Sequence, residues 1–330
     1  MNLSRRRALA GLALGTTLGA AAWPAAAQGG TAGYPTKPVR LIVPVGAGAA
    51  PDVVARLMAE RLGALWKQTL IVDNKPGAGG IPGMSALAHA PADGYTLGFV
   101  PAAMATITPL IYKNPQFNPD TDLTPIATVG TSPLLLVTPA SSGIKTLAEF
   151  ARHAKAQPGK VNFAAPQSNS LPHLAGEMVS RAGQMQLFFI PYPSPPAAVT
   201  AVLSGDALLT ADGLPGLLPH IKAGRLRALA VTSDKRLTGF EDIPTVAETY
   251  PSFEAIGWFS LFAPAGVPTA VAEQLNRDVA RVMQAPELVA RLAEMGIYPR
   301  TGSVAEAREF YQAQRGSMKR IVAELGLQAQ

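Results

Sequence analysis

Short apolar runs alternate with longer segments of helical spacing along most of this chain, and no other feature of the sequence limits the fold as strongly. Five runs rich in leucine or β-branched residues predict strands at 41–45, 70–72, 96–100, 134–138 and 227–232. Between them, apolar residues recur at intervals of about 3.6 positions and predict helices. Such alternation is typical of βαβ units and favours an α/β fold built on a largely parallel sheet.

Three of the helices have clear sequence limits. An apolar stripe over 53–66 follows Asp52 and predicts the first. Thr146 and Glu149 have the spacing of a capping box and begin the second. The third is expected between Ser170 and Gly183.

With 330 residues the chain is long enough for about two domains, and the strand and helix series changes near 128–137. The segment from about 243 onwards suggests loop and helix packed on an earlier part of the chain.

Composition excludes several classes of site and partner. The chain has no cysteine, which rules out disulfides, thiolate metal sites and cysteine nucleophiles. Its 28 Lys and Arg exceed 22 Asp and Glu, but three of these cations are Arg5, Arg6 and Arg7 at the extreme N-terminus. Because no basic run follows, the charge pattern argues against nucleic acid as a partner.

Residues 1–27 have the layout of an export signal. A basic start precedes an apolar stretch and the small-residue triplet that ends at Ala27. We therefore expect cleavage near Ala27 and a mature protein in the periplasm. The segment from Ser4 to Leu9 is similar to a twin-arginine signal, and both this route and the general secretory route stay open. A retained membrane anchor is disfavoured because the apolar run is short and rich in small residues.

The common catalytic and cofactor motifs are absent from the sequence. It contains no G-x-S-x-G, H-E-x-x-H or G-x-x-x-x-G-K-[ST] pattern. The four histidines, at 89, 153, 173 and 220, do not form a spacing typical of metal ligands. We expect no metal and no cofactor.

Two glycine-rich turns lie between a predicted strand and a predicted helix. One is Gly46-Ala47-Gly48-Ala49-Ala50, and the other runs from Gly77 through Ala78 and Gly79 to residue 83. Backbone N–H groups converge at such turns and the helix dipole favours negative charge there, so a carboxylate could bind. The alternative is that both are simply tight turns, and the residues alone leave the two interpretations open.

Polar residues precede two later helices. Ser168, Asn169 and Ser170 offer hydroxyl and amide groups, although Ser170 could also be only an N-cap. Ser194 precedes Pro195-Pro196, where proline in the first turn predicts a helix that runs to Gly205. The free N–H groups of that first turn would also face an anion.

An ordered series of motifs resembles the tripartite tricarboxylate transporter receptors, the TctC or Bug family of periplasmic solute-binding proteins. The series covers nearly all of the expected mature chain. It consists of YPTKPVRLIVP at 34–44 with Asp52 after it, NKPGAGG at 74–80, DGYTL at 93–97, HLA at 173–175, PY at 191–192, LPHIKAGRLRALAVT at 218–232, IPT at 243–245 and APAG at 263–266.

The resemblance implies a type II periplasmic-binding-protein fold, in which two α/β lobes surround a ligand cleft and strands form the hinge. We expect lobe 1 to comprise 28–131 and 240–330, and lobe 2 to comprise 132–239. It further implies a monomer that holds a small organic carboxylate through backbone amides and ordered water.

By position, the resemblance also implies a set of ligand contacts. In the first lobe these are Val45, Gly46, Ala47, Gly48, Ala49, Ala50 and Asp52, supported by Gly77, Ala78 and Gly79. In the second lobe they are Gln167, Ser168, Asn169, Ser170 and His173, with Tyr192, Ser194 and Asp212 nearby.

Several positions depart from the family pattern. Val45 stands where an aromatic residue is usual, and Ala49 replaces a glycine. Gln167 and Asn169 stand where glycines would leave the backbone open, so side-chain amides could supply some contacts. Ala201 stands where many relatives have Asp. The ligand therefore need not be a typical dicarboxylate.

The expected function is capture of a small carboxylate and its delivery to the membrane permease of a tripartite tricarboxylate-type transporter. Two alternatives stay open. One is an orphan receptor that signals to a sensor protein. The other is an exported hydrolase that acts on a carboxylate or ester, but the sequence offers no convergent nucleophile, base and orienting group for it. We do not expect an enzyme.

Overall fold

The computed structural model describes residues 33–166 and 170–326. The strands are β1 Val39–Val43, β2 Leu70–Asn74, β3 Thr96–Pro101, β4 Leu123–Pro139, β5 Val161–Pro166, β6 Leu187–Tyr192, β7 Leu209–Gly213, β8 Leu226–Val231, β9 Ile256–Pro264 and β10 Tyr298–Pro299. The helices are α1 Ala50–Trp66, α2 Ile81–Ala88, α3 Ala102–Thr106, α4 Thr108–Ile111, α5 Leu147–Ala156, α6 Leu171–Ala182, α7 Pro195–Ser204, α8 Leu214–Lys222, α9 Thr269–Met283, α10 Pro286–Glu294 and α11 Val304–Glu324.

The strands follow the order β2-β1-β3-β9-β4-β7-β5-β6, and β8 and β10 also pair with β4. The outer strands pair in parallel, β1 with β2 and β3, and β5 with β6 and β7. The central strands are antiparallel, because β9 runs against β3 and β4, and β4 runs against β7 and β8. The expectation of an α/β fold is confirmed, whereas the expectation of a largely parallel sheet is wrong at the centre.

Strand β4 divides the sheet into two lobes. From Leu123 to Pro133 it pairs with β9, and from Leu134 onwards it pairs with β7 and β8. Lobe 1 contains β1, β2, β3, β9 and the first part of β4, and lobe 2 contains the rest of β4 with β5 to β8. The chain returns to lobe 1 at Ala255, just before β9 begins. Ala255 N donates a hydrogen bond to Thr232 O of lobe 2 at 3.0 Å.

Each lobe has helices on both faces of its part of the sheet. In lobe 1, α1 and α9 cover one face, and α2, α3 and α11 cover the other. In lobe 2, α5 and α6 cover one face, and α7 and α8 the other. The two-lobe fold is therefore confirmed, while the limits at 131/132 and 239/240 stay a prediction. Val246, Phe253 and Ala255 pack in the same core as α5 and α6.

Several sequence predictions have a definite outcome. The three marked helices are confirmed as α1, α5 and α6, and a fourth, predicted to reach Gly205, is confirmed as α7. The first strand is shifted, because it ends at Val43 and not at Val45. The segment after 243 contains β9, a central strand, so the expectation of loop and helix alone was wrong there. The predicted export signal lies outside the described residues.

Within the described ranges, no helix combines the length and the apolar character that are needed to cross a membrane.

Candidate functional site

The carboxyl ends of the parallel strands in the two lobes face each other across a short stretch of β4. Strand β3 ends at Pro101, which pairs with Phe259 of β9, and Phe259 pairs with Gly130 of β4. Only four residues further along β4, Leu134 pairs with Gly213, the last residue of β7. Ligands of α/β proteins bind at the carboxyl ends of the strands. The topology therefore directs both sets of strand ends to one cleft.

The first predicted loop lies at this edge in lobe 1. It connects the end of β1 to α1, and residues 46–48 are exposed. Gly48 has a φ of +83°, and a Cβ atom there would meet nothing within 4 Å. Glycine is therefore required at this position by the backbone angle and not by crowding. The loop presents main-chain groups to solvent, with Val45 packed against the lobe 1 core.

The carboxylate of Asp52 holds this loop in place. It is 2% exposed, and one oxygen accepts bonds from Gly48 N at 2.8 Å and Arg56 Nε at 3.0 Å. The other oxygen accepts from Asn74 Nδ2 at 2.8 Å, and Nδ2 also donates to Val45 O at 3.1 Å. Burial disfavours the charged form, but these hydrogen bonds outweigh it and lower the pKa of Asp52 below its usual value.

The second glycine turn packs behind the first loop. Gly77, Ala78, Gly79 and Gly80 all have positive φ angles, and Gly80 N donates to Gly77 O at 2.7 Å. A Cβ atom on Gly80 would lie 2.5 Å from Met104 Cγ and 3.2 Å from Pro44 Cβ. Larger residues would therefore push the turn away from Pro44, the residue that precedes the first loop. The close approach supports the position of that loop.

In lobe 2, predicted residues Gln167, Ser168 and Asn169 lie outside the described residues. Ser170, which follows them, is the N-cap of α6: its Oγ accepts from His173 N at 3.3 Å and donates to Pro166 O. The structure thus shows the capping role that the sequence left open. Whether Ser170 also contacts a ligand stays a prediction.

His173 lies in the first turn of α6 with its ring against Phe189 at a centroid distance of 5.6 Å. Burial lowers the pKa of His173, which favours the neutral imidazole. Its Nε2 lies 3.8 Å from Glu177 Oε1, and burial raises the pKa of Glu177.

Tyr192, Ser194 and Asp212 follow or end the neighbouring strands at the same edge. Tyr192 ends β6, Ser194 is the N-cap residue of α7, and Asp212 is the penultimate residue of β7. Asp212 Oδ1 accepts from Gly213 N at 2.8 Å. Burial raises the pKa of Asp212 despite this bond. The topology thus places these three residues on one edge of lobe 2.

Several helices that begin at this edge have no side-chain cap. Among them are α1 after Ala49, α7 after Ser194 and α8 after Gly213, and the shorter α2 and α3 also lack one. By contrast, α5 begins at the opposite edge with the capping box of Thr146 and Glu149. Backbone N–H groups of an uncapped first turn can bind an anion, and the helix dipole adds to the attraction. The edge can therefore hold a carboxylate without a free cation.

The sequence did not indicate two parts of this site. Asn74 and Arg56 secure Asp52, and Arg56 Nη2 also donates to Asn74 Oδ1 at 2.9 Å. Asn74 belongs to a quoted motif, but no role was attached to it. The end of β3 at Pro101 was also missed, although β3 itself was predicted and its carboxyl end necessarily joins the same edge. Among the residues that the structure describes, no group of three or more His, Asp or Glu could hold a metal ion.

Two facing lobes with uncapped helix ends at their shared edge define a solute-binding protein. Comparison with known proteins agrees, because residues 54–327 match the model of the tripartite tricarboxylate transporter family receptor, TctC. The chain belongs to this family.

Individual relatives support the same assignment. Protein BugT from Bordetella pertussis is 34% identical over 333 residues, which cover 99% of both chains. A solved structure described as R. palustris Rpa4515 with adipate is 30% identical, has a TM-score of 0.73 and covers 90% of this chain and 100% of its own. MatC from Rhodopseudomonas palustris, solved with bound malate, is 25% identical, has a TM-score of 0.67 and covers 88% of this chain and 100% of its own.

Proposed function

We propose that this protein is a periplasmic receptor that captures a small organic carboxylate between its lobes and delivers it to a tripartite tricarboxylate-type permease. One observation carries the proposal: the carboxyl ends of the strands in both lobes, with the uncapped N-termini of α1, α7 and α8, converge on one edge. A ligand held there can touch both lobes at once.

Backbone amides are the proposed anchors for the carboxylate. In lobe 1 the exposed loop residues Gly46 and Ala47 supply N–H groups, because those of Gly48 and Ala49 are bonded to Asp52 Oδ2 and Gly46 O. In lobe 2 the first turns of α7 and α8 supply them through Ala197, Leu214 and Gly216, since proline at the other positions has no N–H. The side chain of Arg56 is not proposed as an anchor, because it is already bonded to Asp52 and Asn74. Charge-assisted bonds from oriented N–H groups are sufficient to hold a carboxylate.

Closure of the lobes is the proposed means of capture. The lobes are joined by β4 at 133–134 and by the chain entering β9 at 255–256, which lie side by side and can bend together. A ligand that contacts both lobes only in the closed form shifts the population towards that form.

The relatives agree with this ligand class, because solved structures of similar proteins contain adipate and malate. A periplasmic location is supported by family membership and by the export signal predicted at 1–27. Delivery to a permease and signalling to a sensor are alternative outputs of the same binding event, and the family favours the permease.

A binding role is favoured over hydrolysis by the state of Ser170. Its hydroxyl donates to Pro166 O and accepts from His173 N, so both functions of the oxygen are used by the backbone. A catalytic serine would instead donate to a general base.

The experiment that tests the proposal is a thermal-shift screen of small carboxylates, each paired with its primary amide. The amide has a similar shape but no charge. A carboxylate present at about 100 times its Kd should stabilise the protein by roughly 2.7 kcal/mol, and its amide should give no comparable shift. Stabilisation by amides and not by acids would contradict the proposal.

Two capping variants separate binding from stability in the same assay. Ser170→Ala removes the cap of α6 at the cleft, and Thr146→Ala removes the cap of α5 at the opposite edge. Each should lower the free energy of unfolding by about 1 kcal/mol. Only Ser170→Ala should weaken carboxylate binding, and equal binding by both variants would reduce Ser170 to a structural cap.

A further inference from the structure

A cavity of about 160 Å³ is lined by residues of both lobes. Its lining includes Pro101, Ala102, Ala103, Leu171, Trp258 and Met318. Pro101 is the last residue of β3 in lobe 1, and Leu171 is the first residue of α6 in lobe 2, directly after Ser170. The cavity therefore borders the edge at which the strand ends converge.

Most of the side chains that line this cavity are apolar. Three lining residues, Thr106, Trp258 and Gln314, have polar side-chain atoms, and two of them direct a polar atom to another partner. Thr106 Oγ1 donates to Ala102 O at 2.8 Å. Gln314 Nε2 donates to Glu254 Oε2 at 2.7 Å. The Thr106 hydroxyl and one Gln314 N–H are thus already used, and a charge placed among the surrounding apolar side chains would be desolvated with little compensation.

The volume matches a small hydrocarbon group. An apolar protein cavity of about 150 Å³ stays dry and binds benzene. A six-carbon chain or ring thus fits the space behind the first turn of α6, whereas a second carboxylate would have to be buried among Pro101, Ala103 and Met318.

We propose that the natural ligand is a monocarboxylate with an apolar body of about five or six carbons, whose tail fills this cavity. The inference rests on the proposed function, in which the carboxylate is anchored at the edge where the strand ends converge. It separates this protein from a receptor for short hydroxy acids or linear dicarboxylates. Val45 agrees with this proposal. It replaces an aromatic residue that is usual in the first loop, so the apolar contacts to the ligand would come from the cavity instead.

The test compares hexanoate, adipate and propionate by isothermal titration calorimetry on the wild-type protein. Hexanoate and adipate have the same number of carbons, but adipate ends in a second carboxylate. Each buried methylene strengthens binding roughly fourfold. We expect hexanoate to bind about tenfold or more tightly than either competitor. Because this comparison uses only the wild-type chain, it does not depend on how any variant folds.

Filling the cavity gives an independent measurement. Ala103→Leu places a larger side chain in the lining, and Ala293→Leu makes the same exchange at an exposed position of α10. Ala103→Leu should weaken hexanoate binding about tenfold and leave propionate binding within about twofold. Ala293→Leu should change neither. Ala102→Leu, which lines the same cavity, replaces the first variant if Ala103→Leu does not fold.

The outcomes separate this inference from the proposed function. If adipate binds as tightly as hexanoate, or if Ala103→Leu weakens both acids equally, the apolar tail site is wrong while carboxylate capture stands. If the amide hexanamide binds as tightly as hexanoate, the tail site stands and the carboxylate function fails. If hexanoate does not bind at all, the inference is overturned, and the acid and amide screen decides the function separately.

Discussion

The carboxylate of Asp52 joins three segments that are distant in sequence: the loop after β1, the first turns of α1 and the end of β2. The resemblance suggested a ligand contact at this position. Both oxygens are bonded within the protein and the side chain is 2% exposed. We therefore propose that Asp52 positions the loop, while a direct ligand contact stays a prediction.

Replacing Asp52 by Ala should therefore affect both stability and binding. The change leaves Gly48 N without its acceptor and Asn74 Nδ2 with Val45 O alone. This loss should lower the free energy of unfolding by about 2–3 kcal/mol and weaken carboxylate binding. Chemical denaturation and calorimetry measure the two effects. Asp73→Ala on β2 is the matched control, because Asp73 pairs with exposed Arg40 and Lys75 and should cost about 1 kcal/mol or less. Unchanged binding in Asp52→Ala would contradict the positioning role.

Asp212 should make stability depend on pH in the opposite sense from an ordinary paired carboxylate. Burial raises the pKa of Asp212 above the usual value of 3.8. Its protonated form is favoured in the folded protein, so its stabilising contribution is complete below pH 3.8 and is lost as pH rises through the raised pKa.

The neutral variant Asp212→Asn removes this dependence. Its free energy of unfolding, measured relative to wild type by urea denaturation, should increase between pH 4 and pH 7. Asp206→Asn, at an exposed position nearby, controls for the loss of one negative charge. If the stability of Asp212→Asn relative to wild type stays constant or falls as the pH rises, burial is not the dominant influence on the pKa of Asp212.

At the scale of elements, the turn at 77–80 determines where the first loop can lie. Gly80 and Gly205 have almost the same backbone angle, with φ of +86° and +88°. A Cβ on Gly80 would collide with Met104 and Pro44, while one on Gly205 would meet nothing within 4 Å. The two positions therefore separate backbone strain from packing.

Gly205→Ala should cost about 1 kcal/mol from strain alone. Gly80→Ala should cost about 1–3 kcal/mol more because of overpacking, and it should also weaken carboxylate binding. Thermal denaturation and calorimetry on both variants check this. Equal losses of stability would mean that the turn does not press on Pro44 as the structure indicates.

The sequence predicts elements well where apolar residues are large and the limits are marked by Pro, Gly or caps. Helices α1, α5, α6 and α7 and strand β3 were recognised for this reason. Strand β4 was recognised only in its second part, because Pro125, Gly130 and Pro133 interrupt the pattern, and the register shifts twice near the first two. Strand β9 was missed because its antiparallel place at the centre depends on partners far away in the sequence.

The same limit applies to the site. Both glycine turns, and the helix starts after Ser170 and Ser194, were recognisable, since local residues specify a turn and a helix N-terminus. The apolar cavity was not, because it forms only when Pro101, Leu171 and Met318 from three distant segments meet.

At the scale of the whole molecule, helix α11 joins the two lobes away from the proposed hinge. Arg315 Nη1 donates to Thr106 O of lobe 1 at 2.8 Å, and Met318 packs with Ile107 of lobe 1 and Leu174 of lobe 2. Near its end, Glu324 O accepts from Arg181 Nη2 of α6 at 3.0 Å. The proposed closure would therefore require bending at 133–134 and 255–256 together with small shifts along α11.

Small-angle X-ray scattering tests this account most directly, with and without the carboxylate that gives the largest thermal shift. If a small acid bridges both lobes and holds them together, its addition should reduce the radius of gyration, and the corresponding amide should leave it unchanged. An acid that raises the Tm while the radius of gyration stays the same would contradict capture by closure of the lobes.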